Sequence, residues 1–181
     1  MRYLLLGIVL RILFVLTSRD QASTQIQKLC DRYLVLATMI DAESGILTVR
    51  VPGLLPGIDK DMRDWSLFKI LEHNTIVNRS FTSIIESLVR DEEPHGAGAI
   101  DMKKDVMPSE SPGAEQIESF HNSVTEHIKA VSDFRNLHDS PTKLHPLFGA
   151  FTAHQWHCMF SFHLFIHYIQ AKYIVNKIIR N

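Results

Sequence analysis

The sequence predicts an all-α fold, a four-helix bundle with an extra hydrophobic N-terminal helix and long inter-helix loops. Three observations predict it. Apolar residues recur at steps of three and four along four separate stretches, which is the period of a helix face. No stretch carries a convincing alternating strand pattern. The chain has 181 residues, 45% of them hydrophobic, enough for one sizeable core and too little for several domains.

Residues 1–17 open the chain with an apolar run that contains Arg2 and Arg11 and no acid. Tyr3 to Leu16 is too short and too interrupted for a membrane span, which needs about 20 apolar residues. Two readings stay open. The segment is a helix docked on the core, or it is a signal or membrane anchor with Arg2 as its basic start. Residues 18–181 are read as the bundle itself.

Ser18 to Ile40 forms the first amphipathic helix, with Ile26, Cys30, Tyr33, Ala37 and Ile40 on one stripe. Glu43 to Lys60 breaks the pattern with Gly45, Pro52, Gly53, Pro56 and Gly57, so a long loop is expected, with a short extended piece at Ile46 to Val51. Asp64 to Val89 is the clearest helix. Its stripe is Ile70, His73, Val77, Phe81, Ile84 and Leu88, and His73 lies inside it. A histidine in a core stripe must be hydrogen-bonded, neutral or bound to something.

Residues 91–116 read as a flexible acidic loop; from 91 to 119 eight acids face only Lys103 and Lys104. Ile117 to Leu137 returns to helical periodicity through Ile117, Phe120, Val124, His127 or Ile128, Val131 and Phe134. Ser140, Pro141, Pro146 and Gly149 then mark an ordered loop. Thr152 to Ile179 is apolar nearly all round, as a central buried helix should be.

Charge and cysteine content exclude some functions. With 19 Lys and Arg against 20 Asp and Glu the net charge is −1, without the basic excess of a nucleic-acid scaffold. Cys30 and Cys158 are too few for a disulfide framework or a Cys-rich zinc module. Cys158, among Trp156, Met159 and Phe160, reads as a buried, inert thiol. The chain holds no GxSxG, P-loop, HExxH or GxGxxG motif.

Its ten histidines carry the chemistry instead. His163 and His167, four apart on the last helix, project from one face about a turn from each other. One helix can present two imidazoles to a metal with this spacing. His73 is the best third ligand, on another helix and facing the core. A three-histidine site leaves a coordination position open, where water becomes a nucleophile or a thiol is held as thiolate. His127 and His157 are the candidates for acid–base work. His154 and His157 either line the mouth of this site or face solvent. His95, His121, His138 and His145 carry no signal of their own.

Two stretches resemble a known superfamily. Asp64-Trp65-Ser66-Leu67-Phe68-Lys69-Ile70-Leu71-Glu72-His73-Asn74 is similar to the second helix of DinB-like (DinB/YfiT-like) proteins, where a Trp-Ser start leads to a Glu-His pair whose histidine binds metal. The stretch from His145-Pro146-Leu147-Phe148-Gly149 through Thr152, Gln155-Trp156, His163, His167 and Gln170 resembles the fourth-helix signature, in the version of an uncharacterised HP-x-FG subfamily. The resemblance spans roughly residues 20–178; the N-terminal segment and the acidic insertion depart from it.

The resemblance implies a DinB-like four-helix bundle with a divalent metal, nickel or zinc, on His73, His163 and His167. It implies a metal-dependent enzyme, foremost a thiol-dependent transferase using a low-molecular-weight thiol on a small-molecule substrate. A metal-dependent hydrolase and a non-catalytic, stress-related metal-binding bundle are the alternatives. The expected setting is cytoplasmic, as a homodimer, without nucleic acid. A membrane or exported location would arise only through residues 1–17.

Overall fold

The computed structural model describes residues 2–53, 58–92 and 105–180, with the backbone alone for residues 2–5. The described chain is mostly helical. Its long helices are α1 (Arg2–Leu16), α2 (Arg19–Thr38), α4 (Leu67–Arg90), α5 (Glu115–Asp133) and α6 (Ala153–Arg180), with a short α3 (Ala42–Gly45). Helix α2 packs on α5 and α6, and α4 packs on the same two, so the four helices close a ring around one core. Trp156, Tyr33, Phe120 and Phe160 are among the largest side chains fully buried there.

Serine caps start two of the long helices. Ser18 caps α2 in a reciprocal capping box: its side chain accepts from the Gln21 backbone, and the Gln21 side chain accepts from the Ser18 N–H at 2.8 Å. Ser66 caps α4 by accepting from the Lys69 N–H at 3.2 Å. The stripe expected along this helix is buried throughout, His73 included. Helix α5 starts two residues earlier than the periodicity suggested and stops at Asp133, four residues short of Leu137. Its C-cap residue, Phe134, is extended and leaves the helix.

The stretch from 43 to 60 is more structured than a bare loop. Helix α3 is capped by the Asp41 side chain, and Lys60–Met62 forms a 3-10 turn. The expected extended piece is tied to the chain before α4 by Val49 N–H to Trp65 O and Val51 N–H to Arg63 O. Residues 54–57, with Pro56 and Gly57, lie outside the described residues.

The absence of strand is corrected at one place. β1 (Lys143–His145) and β2 (Gly149–Phe151) pair antiparallel, with Lys143 opposite Phe151 and His145 opposite Gly149. A three-residue turn, 146–148, leads into Gly149 at the start of β2, at φ +84°, a left-handed conformation that glycine adopts at little cost.

Of the acidic segment, residues 93–104, which include His95, lie outside the described residues. The part after it is anchored on the bundle: Val106 is buried, and Ser109 donates from its N–H and hydroxyl to the Glu72 carboxylate at 2.8 and 2.9 Å.

Helix α1 lies on α6 through Leu10 and Phe14, both buried. Arg11 donates to the Phe148 carbonyl at 3.2 Å and stands over the Phe151 ring. Its other faces leave Ile8, Val9, Ile12, Leu13, Val15 and Leu16 exposed. Among the described residues no helix is long and apolar enough to cross a membrane.

Candidate metal centre

His73 from α4 and His163 and His167 from α6 meet in the bundle interior. One nitrogen from each lies within 4.8 Å of the others, so the three can hold a metal ion. His73 Nε2 and His163 Nε2 are 3.2 Å apart. Two nitrogens held about 2.0–2.1 Å from one tetrahedral ion would be about 3.4 Å apart, so the spacing suits a shared ion.

The tautomers of two rings are fixed from outside. His73 Nδ1 lies 2.6 Å from the Val106 carbonyl, which can only accept, so Nδ1 carries the proton and Nε2 keeps its lone pair. His167 Nδ1 lies 2.9 Å from Gln170 Oε1. The Gln170 amide is itself oriented because its Nε2 donates to the Met62 carbonyl at 2.6 Å. Its oxygen therefore faces His167, whose Nδ1–H donates to it and whose Nε2 is free to ligate. Two lone pairs thus converge on His163, which has a single proton to offer while neutral. His163 Nδ1 is also buried without a hydrogen-bond partner. Converging imidazole acceptors with too few donors fit a cation better than they fit one another.

Burial keeps the donors neutral. It pushes the imidazolium pKa of His73 down to about 4 against the opposing pull of the Val106 carbonyl. His167 falls to about 3, by burial first and then by the nearness of His73. His163 is held well below the ordinary value by burial, with His167, His73 and His145 adding to it. Protons therefore do not compete with a metal for these nitrogens near neutral pH.

The surroundings follow from the helix start. Trp65, just before the Ser66 cap, places its indole 5.0 Å from the His73 ring and stacks at 6.3 Å on His167. Phe81, two turns beyond His73, meets His163 edge-on at 5.9 Å. Glu72 points elsewhere, to Ser109, and holds the segment whose Val106 carbonyl accepts from His73 Nδ1–H.

The acid–base candidates lie apart from this cluster. His127 Nε2 and His157 Nδ1 are 2.9 Å from each other. His127 Nδ1 is 2.8 Å from the Thr82 hydroxyl, and His157 Nε2 is 3.1 Å from that of Ser23. Every ring nitrogen of the pair has a partner within the bundle. From His127 the ring contacts run through Phe160 and Phe81 before reaching His163. Burial depresses both, His157 to about 4. The solvent-facing alternative for His154 and His157 is corrected, since both are buried among α1, α2 and α6. Cys158 is buried, and burial raises its thiol pKa to about 12.

One residue near the triad gave no sequence signal. His145, at the end of β1, is buried against Phe148 and Trp156, with ring centroids 4.8 and 5.1 Å away. Its Nδ1 accepts from the Leu147 N–H at 3.1 Å, so the proton of the neutral ring sits on Nε2. Its place in the His-Pro-x-Phe-Gly stretch was the available hint. No family model matches the chain, and no curated protein matches its sequence.

Proposed function

We propose that this chain is a DinB-like metalloenzyme that transfers a low-molecular-weight thiol to a small electrophile. The observation that carries the reading is the convergence of His73, His163 and His167, with two of the three tautomers fixed by outer partners. A divalent ion on this triad, zinc or nickel, supplies Lewis acidity at an open position and lowers the pKa of a thiol bound there.

The protein's own groups do the rest. Val106 and Gln170 hold two rings in the ligating tautomer. Trp65 and Phe81 wall the site with rings and exclude water from that side. The histidine pair His127–His157 has its nitrogens committed within the bundle and serves as structural support. In the transfer a sulfur–carbon bond forms, the bond from carbon to the leaving group breaks, and the thiol proton passes to solvent.

The test is a conjugation assay with 1-chloro-2,4-dinitrobenzene and glutathione, bacillithiol or mycothiol, on protein loaded with zinc or nickel. The reading predicts thiol-dependent release of chloride that falls about 100-fold or more in His163→Ala. Cleavage of simple esters without any thiol would replace it with a hydrolase. Metal-dependent stabilisation without either reaction would make the bundle non-catalytic.

A further inference from the structure

A cleft of about 470 Å³ lies between α1, α2 and α6. We propose that it binds the chain of a single-tailed anionic amphiphile, a long-chain carboxylate, with its head group against Lys28 and Arg32. The volume falls within the range of small-molecule sites.

The walls are apolar. Leu13 and Phe14 contribute from α1, Leu29 from α2, and Phe162 and Phe165 from α6. Leu13 is 52% exposed and Phe165 48%, so these walls stand partly open to water. An alkyl chain laid between them would remove that apolar surface from solvent, which is the main driving force for such binding. The hydroxyls inside do not demand a polar ligand: Ser161 donates to Gln25 Oε1 at 3.3 Å and Thr17 to the Leu13 carbonyl at 2.8 Å.

The charges select the head group. Lys28 and Arg32 are one turn apart on α2 and both line the cleft, while none of its lining residues is acidic. Asp31, between them in sequence, is absent from the lining, and its carboxylate accepts from Gln27 at 2.9 Å. Arg32 is steadied over the Tyr168 ring at 6.0 Å. Two cations at the edge of an apolar cleft match a carboxylate on an alkyl tail. The concave shape favours one chain over the flat face of a bilayer. The site is separate from the histidine triad and stands whether or not a metal binds there.

The experiment is calorimetric titration of the full-length protein, with chelator and without, using dodecanoate, octanoate and dodecyltrimethylammonium below their micelle concentrations. Expected is one dodecanoate per chain with the same affinity in both conditions. Octanoate should bind more weakly by about fourfold for each methylene lost from the cleft. The cationic amphiphile should bind about tenfold more weakly or worse, and Lys28→Glu with Arg32→Glu should reverse that order. Leu13→Asp, at an exposed position, should weaken dodecanoate without altering the circular dichroism. Equal affinity for the two head groups would overturn the proposal. So would binding to anionic phosphatidylglycerol vesicles alone, or self-association blocked by Leu13→Asp without uptake of dodecanoate.

Discussion

Gln170 and Val106 lie outside the triad, yet each decides what a neighbouring imidazole can do. Each presents an acceptor oxygen to a histidine Nδ1, and so turns an Nε2 lone pair toward the triad. Gln170→Leu keeps the volume and removes the acceptor. It should weaken metal affinity about 10–100-fold, read by competition with a chromophoric chelator, and a change under about threefold would contradict this role. At this scale the sequence was legible where one helix carried the signal. His163 and His167 share a face by spacing, and His73 stood out inside an apolar stripe. It was illegible where the environment comes from distant chain. His145 is buried by aromatic rings from the hairpin and α6, and His157 bonds to α2 and α5. No local pattern encodes those neighbours.

The long helices were readable because their apolar faces are wide and regular. The hairpin was not, since strands of three residues are too short to display an alternating period. Helix α3, four residues long, is too short to display a helical face, and its tertiary fit matters more than its propensity. A Cβ on Gly45 would lie 2.3 Å from the buried ring of Phe68. Gly45→Ala should therefore cost about 1–3 kcal/mol in urea unfolding, although alanine is the better helix former. A neutral or stabilising effect would mean that Phe68 moves aside freely. Glu72→Ala should release the Ser109 segment and with it the Val106 carbonyl, raising amide exchange over residues 105–110. Unchanged exchange there would show that the segment holds without the carboxylate.

The whole molecule encloses several neutral histidines, and that makes it acid-sensitive. Burial lowers His73, His145 and His157 to about 4 and His167 to about 3, from an ordinary 6.5. The unfolded chain takes up these protons first as pH falls. Their contribution to stability is thus present above about 6.5 and lost progressively toward 4. Each group costs about 1.4 kcal/mol per pH unit in that window, against a total stability of about 5–15 kcal/mol. Metal-free protein should therefore unfold with an acid midpoint between about pH 4.5 and 6, followed by circular dichroism. Persistence of the native signal at pH 4 would contradict the buried-histidine account. A bound metal should move the midpoint lower, because it stabilises the neutral rings. The most direct measurement of the central claim is metal stoichiometry by elemental mass spectrometry, on wild type and on His73→Ala, His163→Ala and His167→Ala after loading and desalting. The account predicts about one divalent ion per wild-type chain and less than about a tenth of that in each variant. Equal metal content in wild type and all three variants would contradict it.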